Sequence, residues 1–259
     1  PKCQGHSQNN KVSRGKSLIF ACQFYLVIMQ AVTDVIIPVY NEEASIGHVV
    51  RDIPRGLVRY ILVCNNGSTD NTHSEALRSG AMVLEAPGKG YGNACLRGMH
   101  FIAGLESKPD VVVFLDGDYS DHPEEMESLV QPVTEGKADL VIGSRALGNR
   151  EKNSMMPQQV FGNALATTLI RWIYGYRYTD LGPFRAIRYD KLVALEMQDR
   201  NYGWTVEMQV KAARRKLRVA EVPVSYRKRI GESKVSGTVK GTLLAGYKIL
   251  WTIFKLMVR

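Results

Sequence analysis

The pattern of hydrophobic and polar residues changes at residue 33. From there, short runs rich in Val, Ile and Leu alternate with amphipathic segments that are bounded by turn residues. Such alternation is typical of a parallel sheet covered by helices. We therefore predict a Rossmann-like α/β fold with a mostly parallel central sheet flanked by helices. The apolar runs predict strands at residues 33–40, 59–66, 81–86, 110–118 and 139–145.

After residue 150, the hydrophobic pattern predicts mainly helices. The pattern predicts helices at 162–175 and 205–216, a Gly/Pro turn at 180–185 and a strand pair around 217–229. From residue 235 onward, apolar residues recur at steps of three or four, which predicts an amphipathic helix. That helix can lie in a membrane interface or pack on its own domain, and the sequence leaves both open. Its apolar face comprises Val239, Leu243, Tyr247, Leu250, Trp251, Phe254 and Met257.

The pattern divides the chain into an N-terminal extension (1–32), one catalytic domain (33–234) and the C-terminal helix (235–259). A chain of 259 residues that is 45% hydrophobic is long enough to bury one sizeable core. The apolar run at 18–29 follows basic residues and resembles a signal peptide. Because a small-residue cleavage site does not follow and the first strand begins almost at once, we interpret it as an extension. The sequence also leaves open that this apolar run is an interfacial membrane anchor.

The net charge of +9 is concentrated in the C-terminal part. Residues 211–259 hold 13 lysines and arginines against Glu221 and Glu232, a local charge of +11. This surplus suits phosphate-bearing ligands or anionic lipid headgroups, or is simply a solvated face. Nucleic acid is not expected, because RNP-like aromatic strands and a helix-turn-helix are lacking. The four cysteines form no CxxC pair, which favours reduced thiols in a cytoplasmic protein.

Polar clusters follow four of the predicted strands, at residues 38–43, 65–70, 116–118 and 143–145. In parallel sheets, ligands bind in the crevice beyond the carboxyl ends of the strands. Asp116 and Asp118 end a fully apolar strand, where two carboxylates are costly unless a cation accompanies them. Oxygen ligands favour Mg²⁺ or Mn²⁺, and such a metal can stabilise the charge on a departing diphosphate. A lone DxD is weak evidence, because Asp is common in loops.

A glycine-rich turn at residues 88–92 opens the next predicted helix. Its Lys89 could approach the phosphates of a bound ligand, although a turn without a ligand is equally consistent with the pattern. It is not a Walker A loop, because the required GK[ST] ending is absent. An oxidoreductase is not favoured either, because no GxGxxG follows the first strand.

In their order and spacing, these motifs resemble the family-2 glycosyltransferases of the GT-A fold over residues 33–234. The later segments at 180–185, 203–207 and 226–234 are similar to the polyprenyl-phosphate (dolichyl-phosphate) sugar synthase branch. The resemblance implies an inverting, metal-dependent transfer of a sugar from a UDP- or GDP-linked donor to a lipid phosphate. It also implies peripheral contact with an anionic membrane at its cytoplasmic face.

The resemblance and the chemistry of the side chains together assign the donor-binding residues. Where the family usually has Asp-Asp-Gly-Ser, this chain has Asn65, Asn66, Gly67 and Ser68, so the base preference stays open. The basic residues near the end of the domain can hold the donor diphosphate or the acceptor phosphate. The donor-binding candidates are Pro38, Tyr40, Asn41, Glu42, Asn66, Lys89, Asp116, Arg227, Arg229, Ser233 and Lys234.

The predicted metal ligands are Asp116 and Asp118, and the catalytic candidates are Asp118, Arg145 and Glu207. Arg145 corresponds to the arginine that holds the lipid phosphate in the related enzymes. A second arginine common in that branch is replaced here by Gln158 and Gln159. The Gln that often follows the second Asp is also absent. Ser120 takes its place, and Asp121 beside it is a further candidate ligand.

The nature of the acceptor decides whether a base is needed. A phosphate monoester is largely ionised near neutral pH and needs none. A hydroxyl acceptor loses a proton, for which Glu207 is the first candidate base and Asp180 the second. Both carboxylates could instead orient Arg or Lys side chains. A saccharide or small hydroxyl acceptor is thus the alternative, whereas a non-catalytic basic module would leave the ordered motifs unexplained.

Overall fold

The computed structural model describes residues 31–231 and 239–258, and it has one central sheet. The strand order is β3-β2-β1-β4-β6-β5-β7, and β6 alone runs antiparallel to its neighbours. This arrangement confirms the predicted α/β fold. The strands in the described residues are β1 (Thr33–Val39), β2 (Tyr60–Asn65), β3 (Met82–Glu85), β4 (Val111–Phe114), β5 (Leu140–Ser144), β6 (Arg185–Arg188) and β7 (Val219–Pro223).

Helices connect the strands and cover both faces of the sheet. A short 3-10 helix, Pro123–Glu125, precedes the fourth α-helix. The α-helices in the described residues are α1 (Ile46–Asp52), α2 (Thr72–Arg78), α3 (Tyr91–Gly104), α4 (Met126–Thr134), α5 (Pro157–Tyr174), α6 (Tyr189–Ala194), α7 (Trp204–Arg214) and α8 (Val239–Val258).

Two hydrophobic layers enclose the sheet, because successive side chains of a strand point to opposite faces. Ile36 of β1 belongs to the layer that α3, α5, α7 and α8 cover, and Ile37 belongs to the layer under α1, α2 and α4. All seven residues of β1 are buried. A strand buried on both faces reads as a continuous apolar run, which is why the sequence located the central strands.

Two predictions about the second half of the domain were incomplete. The turn at 180–185 leads directly into β6, a strand of four residues that is too short to give a periodic signal. The strand pair expected around 217–229 is one strand, β7, which lies parallel to β5. Tyr226 forms only isolated bridges, to Asp121 and to Arg150. The segment after β7 therefore lies beside the loop that follows β4.

The C-terminal helix α8 packs on the domain and also leaves much of its predicted apolar face exposed. Ile253 and Leu256 are buried against α5 and α7. Lys248 Nζ lies 2.9 Å from Asp199 Oδ2. Among the described helices, none combines the length and hydropathy needed to span a bilayer. The exposed apolar residues are Leu243, Leu244, Tyr247, Trp251, Phe254 and Met257.

Candidate active site

The loops after β1 and β2 are joined by hydrogen bonds into one unit. Asn41, in the left-handed region at φ 53°, accepts a bond from the Thr69 amide at 2.8 Å through its Oδ1. Its own amide donates to Ser68 Oγ at 3.0 Å. Asp70 accepts from the Glu43 amide at 3.2 Å and so braces the two loops against each other. Asn41 thus contributes to loop geometry, and its donor-binding role stays a prediction.

Glu42, Asp118 and Arg229 come together although they are far apart in sequence. Arg229 Nη2 lies 2.8 Å from Glu42 Oε1, and Arg229 Nη1 lies 3.1 Å from Asp118 Oδ2. Ser45 Oγ donates to the Gly117 carbonyl at 2.8 Å and lies 3.1 Å from Glu42 Oε2. The loops after β1 and β4 and the segment after β7 therefore meet in one polar cluster.

The two predicted metal ligands have different surroundings. Asp116 accepts a hydrogen bond from the Tyr91 hydroxyl at 2.9 Å. Asp118 Oδ1 accepts from the amide and the hydroxyl of Ser120 at 2.9 and 2.6 Å. Gly117 between them has no room for a side chain, since an added Cβ would lie 2.5 Å from Val39 Cγ1. The DxD loop is thus fixed against β1.

The cluster carries more negative charge than its arginines offset. Burial and the nearby Asp118 raise the pKa of Asp116 to about 7. Asp121 is only 2% exposed, and its two carboxylate oxygens have no hydrogen-bond partner among the described residues. Burial, Asp116 and Asp118 raise the pKa of Asp121 well above its usual value. A buried carboxylate without a partner is costly, so this site suits a cation.

The donor atoms fit a divalent metal of the type expected. Carboxylate oxygens of Asp116 and Asp118 are the hard ligands that Mg²⁺ and Mn²⁺ prefer, and the partnerless oxygens of Asp121 add to the local need for positive charge. Within the described residues, no three His, Cys, Asp or Glu side chains converge closely enough to form a complete metal site. In this conformation, Ser120 contacts Oδ1 of Asp118 and Arg229 contacts Oδ2.

Arg145 is held by Asp180. Its Nε and backbone amide each lie 2.8 Å from Asp180 Oδ2, and its Nη2 lies 2.7 Å from Oδ1. Although burial acts to lower it, this carboxylate raises the pKa of Arg145, so the guanidinium stays charged. A cavity of about 330 Å³ lies beside Asp180, between the loop after β5 and helix α5. Arg150, Asn163, Thr167 and Thr179 contribute to its lining.

Glu207 contacts the loop at residues 198–203 and Lys211. It accepts hydrogen bonds from the amides of Gln198 and Asp199 at 2.7 to 3.1 Å. Lys211 Nζ lies 2.8 Å from its Oε1. These contacts favour a bracing role for the loop at 198–203, and the catalytic role of Glu207 stays a prediction.

The remaining predicted donor residues vary in exposure. Pro38 is buried in β1, Tyr40 is half-buried and Lys89 is exposed. Asn66 Oδ1 is buried without a hydrogen-bond partner among the described residues, which leaves an acceptor for a ligand. Arg227 stacks on Tyr119, with its Cζ 3.6 Å from the ring centroid. Ser233 and Lys234 lie outside the described residues, as does the N-terminal extension up to residue 30.

Sequence reasoning missed two supporting residues. Tyr91 lies in the glycine-rich turn that drew attention to Lys89, yet its hydroxyl contacts Asp116. Arg185 is fully buried and donates to the carbonyl oxygens of Leu181 and Thr205 at 3.2 and 3.1 Å. Its burial lowers its pKa, and its charge faces the acidic cluster that includes Asp116. An isolated arginine after a turn gave no signal for this role.

Sequence relatives and solved structures both match most of this chain. The chain is 36% identical over 216 residues to an uncharacterized glycosyltransferase of Mycobacterium tuberculosis, covering 82% of this chain and 93% of that protein. It is 34% identical over 222 residues to the undecaprenyl-phosphate mannosyltransferase of Micrococcus luteus, covering 80% of this chain and 88% of the relative.

The fold is similar to glucosyl-3-phosphoglycerate synthase from Mycobacterium tuberculosis in complex with Mn²⁺, uridine diphosphate and phosphoglyceric acid. The TM-score is 0.70 at 23% identity, covering 88% of this chain and 78% of that structure. The family model for glycosyl transferase family 2 matches residues 34–195. This segment contains β2 to β6, all of β1 except its first residue, and both predicted metal ligands. The chain therefore belongs to glycosyl transferase family 2, with a GT-A fold.

Proposed function

We propose that this enzyme transfers a sugar, with inversion, from a nucleotide-diphosphate sugar to the phosphate of a membrane-embedded polyprenyl phosphate. The observation that supports this acceptor best is an exposed apolar surface beside a cavity. Asp180, the ion-pair partner of Arg145, lines that cavity. A small soluble acceptor needs a polar pocket but no exposed apolar path, whereas a polyprenyl chain needs both.

Helix α5 joins the cavity to that surface. Val160, Ala164 and Thr167 lie on the face of the helix that lines the cavity. The adjoining face carries Phe161 and Trp172, which are 70% and 77% exposed. Large apolar patches on a soluble domain mark sites of membrane or protein contact. A lipid phosphate can thus enter the cavity while its hydrocarbon chain follows α5.

Helix α8 packs against α5 and extends the apolar surface. Its exposed side chains include Tyr247 and Trp251, and aromatic residues of this type are favoured at membrane interfaces. The local charge of +11 in residues 211–259 attracts anionic headgroups. We therefore propose that the α5 and α8 face binds the anionic, cytoplasmic surface of a lipid bilayer.

In the proposed mechanism, an oxygen of the acceptor phosphate attacks the anomeric carbon, and the bond to the donor diphosphate breaks. Since the phosphate is already ionised, no side chain has to remove a proton. Asp180 contacts Nε and Nη2 of Arg145 and fixes the orientation of the guanidinium, whose Nη1 can donate to the acceptor phosphate. We expect Tyr40, Glu42 and Asn66 to bind the nucleoside, and Arg229 can donate to the diphosphate.

Asp116 and Asp118 would hold a Mg²⁺ or Mn²⁺ ion. When bound, such an ion neutralises charge that develops on the leaving diphosphate. Tyr91 orients Asp116, and Ser120 orients Asp118, so both carboxylates are arranged before a ligand arrives.

The relatives support this proposal and also define the alternative. The Micrococcus luteus relative is named for transfer to undecaprenyl phosphate, and the solved synthase is named for a phosphoglycerate product. If the acceptor were a small hydroxyl compound, Glu207 would be the candidate base.

The deciding experiment measures transfer of radiolabelled sugar from UDP- and GDP-linked donors to three acceptors: a long polyprenyl phosphate, a short-chain water-soluble analogue and 3-phosphoglycerate. We expect the long lipid phosphate to be glycosylated most efficiently. Efficient transfer to phosphoglycerate, with none to either lipid phosphate, would overturn the acceptor assignment.

The membrane surface is tested with F161S/W172S. We expect weaker sedimentation with vesicles containing anionic lipid and slower transfer to polyprenyl phosphate in those vesicles. Transfer to the short-chain analogue should stay unchanged, because the variant leaves the donor-side residues intact. The matched control is L77S, at an exposed leucine of α2 away from this surface. Equal vesicle binding by both variants would contradict the proposed face.

A further inference from the structure

We propose that Arg229 acts as an internal cation that occupies the acidic donor pocket of the free enzyme, so that a divalent metal binds tightly only together with the donor nucleotide. This inference rests on the proposed function, because it concerns the same pocket. It adds an order of binding and a regulatory role for one side chain.

The contacts of Arg229 define the first step of the argument. Its two terminal nitrogens bridge Glu42 and Asp118, at 2.8 and 3.1 Å. Both carboxylates are largely buried, with side-chain exposures of 10% and 12%, and the arginine is 26% exposed. Arg229 therefore pairs with the residue that is expected to bind the ribose and with the residue that is expected to bind the metal, and it offsets one of their two negative charges.

The backbone on either side of Arg229 is attached to the DxD loop. The Arg227 amide donates to the Ser120 carbonyl at 2.9 Å, and the Ile230 amide donates to the Asp118 carbonyl at 3.0 Å. The Lys228 amide donates to Glu151 Oε2 at 2.9 Å. Because the main chain is held at these three points, we expect the guanidinium to leave the pocket by a change of side-chain rotamer and not by movement of the backbone.

Charge explains why metal and nucleotide are expected to bind together. A divalent ion at Asp118 would lie close to the Arg229 guanidinium, and the two cations repel each other in a partly buried site. A donor diphosphate brings negative charge that both cations can neutralise. Arg229 Nε is buried without a hydrogen-bond partner among the described residues, so it offers a donor that the two carboxylates do not use. A phosphate oxygen can accept from it as the guanidinium turns.

The test measures Mn²⁺ binding by electron paramagnetic resonance and calorimetry, without nucleotide and with saturating UDP or GDP. For the unmodified enzyme we expect weak binding of Mn²⁺ alone and a gain of about tenfold or more with the correct nucleotide, within the usual range of coupling between sites. For R229Q we expect Mn²⁺ alone to bind about tenfold more tightly, with a smaller gain from nucleotide.

Two further variants complete the design. K228Q removes the same charge from the adjacent, exposed residue and should bind Mn²⁺ like the unmodified enzyme. R229K keeps the charge but lacks the fork that contacts both carboxylates, so we expect an intermediate Mn²⁺ affinity. Circular dichroism establishes that each variant is folded, and R229K carries the test if R229Q does not fold.

Three outcomes would overturn the inference, and one would instead overturn the proposed metal site. Unchanged Mn²⁺ affinity in R229Q and R229K means that Arg229 does not compete with the metal. Equal tightening in K228Q means that the effect is only one of net charge. If the unmodified enzyme binds nucleotide tightly in EDTA and R229Q does not, Arg229 replaces the metal permanently. If the unmodified enzyme binds no Mn²⁺ with any nucleotide, the metal site itself is wrong.

Discussion

The donor side and the acceptor side of the site are held by different kinds of contact. On the donor side, the loops after β1, β2 and β4 are linked by hydrogen bonds, such as those from the Thr69 amide to Asn41 and from Ser45 to the Gly117 carbonyl. On the acceptor side, one ion pair between Arg145 and Asp180 lies beside a cavity and exposed apolar helices. The difference agrees with the proposed function, in which a fixed polar pocket holds a small charged donor and an open apolar surface receives a larger, flexible acceptor.

The strongest test of this comparison is D118N. Loss of the charge removes one of the two proposed metal ligands and one of the two carboxylate partners of Arg229, so we expect kcat/KM to fall by about 10² to 10³, with reduced Mn²⁺ binding. The control is D190N, at an exposed aspartate on α6 that pairs only with surface residues. Steady-state kinetics with both substrates checks the prediction. Full activity of D118N would contradict the donor pocket as described.

On the acceptor side, we expect R145K to raise the KM for polyprenyl phosphate by roughly 10 to 100-fold, because a lysine cannot reproduce the fork held by Asp180. The KM for the nucleotide sugar should change little. R171K, at an exposed arginine of α5, is the matched control. If the KM for the donor rises instead, Arg145 belongs to the donor side and the two-sided description is wrong.

The two sides are connected through the start of α3. A Cβ on Gly92 would lie 2.0 Å from the carbonyl oxygen of Asp199, whose side chain contacts Lys248 of α8. We expect G92A to lower the free energy of unfolding by about 1 to 3 kcal/mol, as overpacking does. G104A, at the open end of the same helix, should be neutral or stabilising by up to about 1 kcal/mol. Urea denaturation of both variants measures the difference.

The smallest effect is expected for E207Q. With polyprenyl phosphate as acceptor, kcat should fall by less than about tenfold, because Glu207 braces the Gln198 and Asp199 amides and no base is needed. Loss of a general base would cost roughly 10² to 10⁴ and would remove the acidic limb of the pH profile of kcat. A loss of that size, with a changed pH profile, would favour the hydroxyl-acceptor alternative. E196Q, at an exposed glutamate, is the control.

Much of the donor side could be predicted because its motifs are local. A fully buried strand followed at once by Asp116 and Asp118 appears as an apolar run with two acids at its end. The second half of the domain was harder to predict. The four-residue strand β6 is too short for periodicity to detect, and the buried Arg185 at its start resembles any arginine after a turn.

The C-terminal helix illustrates the limit of periodicity. The spacing identified an apolar face that includes Tyr247, Trp251 and Phe254, but it left open whether this face covers the domain. In the structure, Ile253 and Leu256 make that contact, and most of the predicted face is exposed. Periodicity locates a stripe on a helix, whereas the neighbouring elements decide which stripe is buried.

The sequence by itself determined the α/β fold, the order of the central strands along the chain and the edge of the sheet at which polar residues gather. These follow from the hydrophobic period and from the geometry of parallel strands, which are properties of short segments. Only the tertiary structure decided that Arg229 lies between Glu42 and Asp118 and that Asp180 holds Arg145. Such pairings join residues distant in sequence, so packing of the whole domain sets them.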